Sequence, residues 1–432
     1  LPLEESEPLT LFNRLKPYSI IHKLIPGVVT QINDEVIEVY NKNKQYIQIP
    51  FNAFKWVFAG HQSSKKKAIT DVLSIGSVIY TRKINKVWHL SQLPEIEAAL
   101  ISLSPENGAI LALSGGFNFM KSKFNRVTQA HRQPGSTIKP FIYAAALEKG
   151  LTMASIINDA PIVLKDPNQE NLWRPHNDNN KFYGPTPLRT GLIRSRNLVS
   201  IRVLKAAGLS FAIHYLKLFG FSEESLPNSL SLALGSSQVT PMQLAAAYAV
   251  LANVGYKVEP HIINRITDPH GQIILKTLPQ MANAIGHSIP ISQQAPQVIN
   301  SSIAYLITSA LKDVIQKGTG QRAKSLNRQD LAGKTGTTND QRDAWFSGFN
   351  FKVVTTTWMG FDSPKNIKAY ASSTALPLWI DYMSNVLAGT KESNLKMPSN
   401  IISVRINPHS GLRSKKKKDT QLELFRKENL PD

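Results

Sequence analysis

Three short motifs hold the residues whose types and spacing could do chemistry: Ser136-Thr137-Ile138-Lys139, Ser195-Arg196-Asn197 and Lys334-Thr335-Gly336-Thr337. They offer a hydroxyl nucleophile in Ser136, an amine base in Lys139, and a proton relay in Ser195 with the amide of Asn197 beside it. Lys334, Thr335 and Thr337 add a cation and hydroxyls suited to a carboxylate, and Gly336 permits close backbone approach. This is equipment for acyl transfer on a peptide with a free C-terminus. Ser136 follows Gly135 at an expected helix start, where N–H groups lack partners, and Lys139 lies one turn on, with Cβ atoms roughly 5 to 6 Å apart. Burial and a second cation both disfavour an ammonium, so Lys334 near Lys139 would help it act as a base.

Each motif alone is weak. Ser-x-x-Lys recurs at Ser63/Lys66, Ser64/Lys67, Ser309/Lys312, Ser393/Lys396 and Ser414/Lys417, and Ser325-Leu326-Asn327 repeats the second motif. Context separates them. After Lys139 the chain reads Pro140-Phe141-Ile142-Tyr143-Ala144-Ala145-Ala146, an apolar run that fits a buried central helix and would desolvate the amine. Ser309/Lys312 also lies on an apolar helix, but no glycine precedes that serine. Ser195 and Asn197 sit in a polar window between Leu192-Ile193 and Leu198-Val199, where Ser195 could instead cap a helix over Leu198 to Ala207. Lys334 could equally open an ordinary strand.

The elements that must position these residues can be read from periodicity. Residues 1 to 21, with Pro2, Pro8 and Pro17, read as an extended linker. Val28 to Ile32, Glu35 to Tyr40, Tyr46 to Phe51, Val78 to Arg82 and Val87 to Leu90 read as short strands of a small barrel spanning residues 22 to 93. From residue 94 onward a hairpin is expected around Asn107-Gly108. Helices follow over Ser136 to Lys149, Pro241 to Asn253 with Thr240 as cap, and Ser301 to Lys317; Ala344 to Phe349 and Val353 to Phe361 read as strands. Helix-rich blocks flanked by antiparallel hairpins indicate an α+β fold. If the hairpin and the strands after Lys334 share one sheet, residues 109 and 334 should lie close.

Composition narrows the class. A formal charge of +20 favours contact with polyanions, yet no aromatic-basic or finger signature points to nucleic acid. Lys65 to Lys67 and Lys415 to Lys418 read as polar loops. No cysteine is present, which excludes disulfides and thiolate chemistry, and the ten histidines lack ligand spacing, so neither metal nor cofactor is expected. No run of about 18 apolar residues occurs. Because the chain opens on Leu1, it reads as a processed or truncated piece.

The ordered set S-x-x-K, S-x-N and K-T-G resembles the signature of penicillin-binding proteins and serine β-lactamases. Phe124-Asn125-Arg126, Arg132-Gln133-Pro134-Gly135-Ser136, Asp343-Ala344-Trp345-Phe346 and Trp358-Met359-Gly360-Phe361 resemble class A penicillin-binding proteins. Gly184-Pro185, Leu188-Arg189 and Ala233-Leu234-Gly235 are similar to the 1A type. The resemblance implies a transpeptidase fold, an antiparallel sheet with helices packed on it, over residues 94 to 432, and an OB-like barrel before it. It implies D,D-transpeptidation of peptidoglycan stem peptides ending in D-Ala-D-Ala, with Ser136 acylated by substrate or by β-lactams. Lys139 would be the base, Ser195 a proton shuttle, Asn197 a ligand for Lys139 and the substrate amide, and Lys334, Thr335 and Thr337 the carboxylate anchor. The backbone N–H groups of Ser136 and Thr337 would form the oxyanion hole. Location on the periplasmic side of a bacterial inner membrane, cell-wall synthesis proteins as partners of the barrel, and no glycosyltransferase activity for this chain are further expectations. A D,D-carboxypeptidase shares every motif. A β-lactamase would need an E-x-x-L-N loop, and Glu223-Glu224-Ser225-Leu226-Pro227-Asn228 breaks that pattern with proline. From another class, a non-catalytic β-lactam sensor or scaffold would keep the motifs intact.

Overall fold

Alternation of apolar and polar residues between Ile25 and Ser91 becomes, in the computed structural model, five antiparallel strands: β1 (Ile25–Ile32), β2 (Val36–Asn41), β3 (Tyr46–Pro50), β4 (Val78–Ile84) and β5 (Val87–Ser91). The structure describes residues 8–58, 69–164, 172–283, 289–363, 365–416 and 418–432. Strand order is β3-β2-β1-β4-β5, and the outer strands β3 and β5 return into contact, as in a small barrel. Inward residues such as Val29, Ile37, Val39, Ile49 and Phe54 fill its core. The basic run at Lys65 to Lys67 lies outside the described residues.

One expectation changes in this unit. Residues 8 to 15 are not extended linker but helix α1 (Pro8–Leu15), whose Leu11 and Leu15 are buried against Val28 and Tyr40. Proline is tolerated there because it occupies the first turn, where the helix lacks N–H partners anyway.

The chain divides into two compact units, Leu1–Glu95 with Asn118–Lys123, and Ile96–Phe117 with Phe124–Asp432. Residues 118–123 thus group with the first unit although they fall within the sequence span of the second. Within the first unit Lys121 Nζ donates to the Pro94 carbonyl (2.9 Å).

The second unit is built on a five-stranded antiparallel sheet of β6 (Glu97–Leu103), β7 (Ile110–Ser114), β8 (Ala332–Thr337), β9 (Asp343–Phe349) and β10 (Val354–Gly360). Its order is β8-β9-β10-β6-β7. The early hairpin and the strands after Lys334 do share one sheet, but β7 and β8 form opposite edges. Four strand spacings of about 4.8 Å separate them, so residues 109 and 334 are not neighbours; Ala109 instead bridges to His261. β9 is buried along its whole length. Its Trp345 and Phe349 enter one apolar cluster and Phe346 another, as alternation across a sheet covered on both faces requires.

On the first face lie α2 (Lys139–Glu148), α3 (Asn197–Ala207), α4 (Pro241–Ala252) and α5 (Ser301–Lys317); on the other, α6 (Ala375–Val386) places Trp379 edge-on to Phe346 at 4.9 Å. α2 is apolar all round and buried from Lys139 to Leu147, which makes it the central helix. α4 starts on a capping box: Gln243 N donates to Thr240 Oγ1 (3.1 Å) and Thr240 N to Gln243 Oε1 (3.0 Å).

The correction at α1 can be checked. Leu15→Ala, which empties a fully buried site, should destabilise the first unit by about 2 to 5 kcal/mol. Hydrogen exchange in β1 and β2 should accelerate accordingly, whereas a linker residue would leave it unchanged.

Candidate active site

Ser136 lies in a tight 3-10 turn, Gly135–Ile138, and α2 begins only at Lys139. The sequence suggested one continuous helix; the tighter turn reflects anchors on each side of it. Arg132 exchanges both backbone hydrogen bonds with Val239 (3.0 Å each), and Trp345 Nε1 donates to the Gln133 carbonyl (2.8 Å). Tyr248, on α4, donates its hydroxyl to the Thr137 carbonyl (2.9 Å). Arg132 Nε donates to Asp343 Oδ1 (2.7 Å), which also accepts from Trp358 Nε1 (2.9 Å). Thus the Asp343, Trp345 and Trp358 positions of the flanking signatures act by fixing the nucleophile turn to the sheet.

Glycine is required where backbones meet around this turn. A Cβ on Gly336 would sit 2.4 Å from the Pro134 carbonyl oxygen, and one on Gly235, at φ +79, would sit 2.1 Å from that of Gly135. Close approach brings the edge strand β8 against the serine turn. Thr338 N donates to Asp343 O (3.1 Å), so by antiparallel alternation the Thr337 peptide groups point off β9. A Cβ on Gly135 would lie 2.8 Å from Thr337 O, which places that strand edge beside the nucleophile turn.

Both lysines are fully buried and converge on one hydroxyl. Lys139 Nζ donates to Asn197 Oδ1 (2.8 Å), the Ser195 carbonyl (2.9 Å) and Ser195 Oγ (3.4 Å). Lys334 Nζ donates to Ser195 Oγ (2.9 Å) and the Thr335 carbonyl (3.1 Å). Burial first, and then the charge of Lys334, hold the Lys139 ammonium well below the usual lysine range, with Asp178 opposing. Burial alone lowers Lys334 to about 7. With its three donors already placed, the Lys139 ammonium has none left for Ser136, and no hydrogen bond to Ser136 Oγ occurs among the described residues.

Ser195 is not a helix cap. It takes φ +57, Arg196 occupies the cap position without a side-chain bond, and α3 is capped from outside by Asn177 Oδ1, which accepts from Asn197 N (2.8 Å). That leaves the Ser195 hydroxyl to the two lysines. Thr335 Oγ1 is 2.6 Å from Thr319 Oγ1, and Thr337 Oγ1 accepts from Ala371 N (3.2 Å). Ser136, Ser195, Asn197, Thr335 and Thr337 line one cleft of about 870 Å³.

The rival motifs do not assemble. Ser309 Oγ accepts from Arg189 (3.2 and 3.3 Å), while Lys312 reaches Asn394 (2.7 Å). Ser325 bonds the Arg322 carbonyl (3.0 Å), and Asn327 closes a 3-10 turn at φ +50. Ser414 Oγ accepts from Lys416 N (3.2 Å), and Ser393 N donates to Asp330 (3.2 Å). Ser63, Ser64, Lys66, Lys67 and Lys417 lie outside the described residues. Sequence reasoning missed Asn177 and Tyr248; nothing in the spacing of either marks it, because each acts across the fold.

A family model described as the penicillin-binding protein transpeptidase domain matches residues 98–375, and one described as the penicillin-binding protein OB-like domain matches residues 3–96. Penicillin-binding protein 1A of Pseudomonas aeruginosa is 41% identical over 94% of the chain and 55% of its own length. That of Escherichia coli is 36% identical over 92% of the chain and 55% of its length, so the chain spans about half of these curated relatives. The crystal structure of penicillin-binding protein 1A from Haemophilus influenzae superposes with a TM-score of 0.89 at 35% identity, covering 99% of this chain and 66% of that one.

Crowding and backbone strain at the glycines can be told apart by calorimetry. Gly150→Ala, at φ +95 with nothing within 4 Å, should cost about 1 to 2 kcal/mol from strain alone. Gly235→Ala adds the collision with Gly135 and should cost roughly 1 to 3 kcal/mol more.

Proposed function

The chain belongs to the penicillin-binding protein transpeptidase family, and from that premise we propose that it is a serine D,D-transpeptidase cross-linking peptidoglycan stem peptides, with Ser136 as the residue that β-lactams acylate. The observation that carries this reading is the single Ser195 hydroxyl held by two buried lysines beside the serine turn. Among the described residues no single helix is long and apolar enough to cross a membrane. The periplasmic face of an inner membrane is proposed from the substrate, which lies there.

In the proposed reaction, loss of one proton releases the weakest Lys139 hydrogen bond, at 3.4 Å, and leaves a lone pair one helical turn from Ser136. The amine takes the Ser136 proton as Oγ attacks the carbonyl of the penultimate D-alanine. The negative charge developing on the carbonyl oxygen is held by the N–H groups of Ser136 and Thr337, at the start of the turn and on the open strand edge. The proton then passes by way of Ser195 to the departing D-alanine nitrogen. An acceptor amine attacks the acyl-enzyme, its proton returning along the same path to Ser136. Lys334, Thr335 and Thr337 hold the terminal carboxylate. Asn197 fixes Lys139 through Oδ1, and its Nδ2, bonded to the His176 carbonyl (3.0 Å), keeps one N–H for the substrate amide.

Fast hydrolysis of the acyl-enzyme finds no support. Glu223 pairs with Lys217 (2.5 Å) at the surface, and neither it nor Glu224 lines the cleft, so this segment supplies no carboxylate to activate water. Incubation with a penicillin should therefore leave a long-lived adduct that peptide mapping assigns to Ser136. Ser136→Ala should carry none; rapid turnover of the drug would favour a β-lactamase instead.

The two lysines also set a pH dependence. The second-order acylation constant should rise with pH as Lys139 loses its proton and fall above about 7 as Lys334 loses the charge that holds the carboxylate. Lys334→Arg, charged at every accessible pH, should keep the rise and lose the fall in stopped-flow acylation.

A further inference from the structure

The segment that presents Ser195 and Asn197 cannot hold its own shape. α3 begins without a cap of its own, and Ser195 before it occupies a left-handed conformation that is unfavourable for serine. Both features are held by two consecutive residues from outside the helix. Asn177 Oδ1 accepts from Asn197 N (2.8 Å) and Leu198 N (3.4 Å), while the His176 carbonyl accepts from Asn197 Nδ2 (3.0 Å). Asn197 is thus gripped by backbone and side chain together. The second grip decides which way its amide faces: with Nδ2 turned to a carbonyl, Oδ1 must face Lys139 Nζ (2.8 Å).

Asn177 is itself fixed. It is 2% exposed, and its Nδ2 donates to Asp159 Oδ1 (2.8 Å) and to the Lys181 carbonyl (2.8 Å). Asp159 is fully buried at the end of strand Ile156–Asp159. Its other oxygen makes no hydrogen bond among the described residues, with Arg196 Nε at 3.8 Å. Although Asn177 borders the cleft, both of its donors and both acceptor positions are spent, so nothing remains for substrate. An amide is the side chain that can cap α3 and donate to Asp159 at once. A carboxylate there would cap equally well but would oppose Asp159 at hydrogen-bond distance.

We infer that Asn177, anchored on Asp159, is a positioning residue for acylation: it sets Ser195 and Asn197 against Lys139 without touching the reacting atoms. The inference rests on the transpeptidase reading and adds a residue that the three motifs do not contain.

The test measures acylation of Ser136 by a fluorescent penicillin, in the full chain and across pH, for Asn177→Ala, Asn177→Asp and Asn177→Asp combined with Asp159→Asn. Displacing the segment should slow the Ala variant on the order of 10²-fold. The rising limb of its pH profile should move to lower pH, because the Lys139 ammonium loses an acceptor. Asn177→Asp alone should be impaired, because a carboxylate oxygen would face both Asp159 and the Lys181 carbonyl. The double variant restores the hydrogen bond between positions 177 and 159 but leaves a carboxylate oxygen against the Lys181 carbonyl, so it should regain only part of the lost rate and acylate faster than Asn177→Asp alone. Its rising limb should move to higher pH, because the carboxylate stands one hydrogen bond nearer Lys139. An Ala variant that acylates within about twofold of the parent overturns the inference, as does a folded double variant no faster than Asn177→Asp alone. A parent chain that takes no adduct on Ser136 overturns the transpeptidase reading and the inference with it.

Discussion

Two buried amines share one hydroxyl, and the remainder of the second unit is arranged to keep them there. Lys139 and Lys334 are each 0% exposed, and both donate to Ser195 Oγ. A buried ammonium is unfavourable and two near each other are worse, so the site leans towards giving up a proton. Every hydrogen-bond partner counted at these amines is neutral, an amide, a hydroxyl or a carbonyl. A carboxylate in direct contact would have locked the charge in place and removed the base.

This arrangement needs three segments from distant parts of the chain to meet within hydrogen-bond distance. The apolar surface of α2 supplies the burial, the sheet edge supplies Lys334, and the externally capped α3 supplies Asn197. Precision comes from places where side chains are missing. Gly336 lets β8 approach the Pro134 carbonyl, and Gly235 lets the chain pass the Gly135 carbonyl. Asp343 then joins Arg132 to Trp358, so the serine turn is tied to the central strands.

Much of this was legible beforehand. The five strands of the first unit follow from alternation, and α4 and α5 from caps and glycine stops, because these signals are local. The eight motif residues do meet, and order and apolar context had already separated them from their decoys. Reading failed where distant contacts override local preference. Leu11 and Leu15 are helical because Val28 and Tyr40 offer them a surface. The hairpin containing Ala109 joins the expected sheet at the edge opposite Lys334, since strand order is invisible to periodicity. Asn177 sits 20 residues before the helix it caps.

By itself, then, the sequence determined which groups could react and in what order they stand: a serine three residues before a lysine, a hydroxyl with an amide, a lysine before a glycine-centred strand. These are properties of spacing along the backbone. The tertiary structure alone decided their aim and how completely the two amines are buried. The lowered proton affinity of Lys139 and Lys334 arises from burial, and burial belongs to the packed layers rather than to any segment. The facing of the Asn197 amide and the freedom of the Ser195 hydroxyl depend on a cap lent by another loop. Hydrogen bonds of that kind have no sequence periodicity, because their partners are brought together only when the core closes.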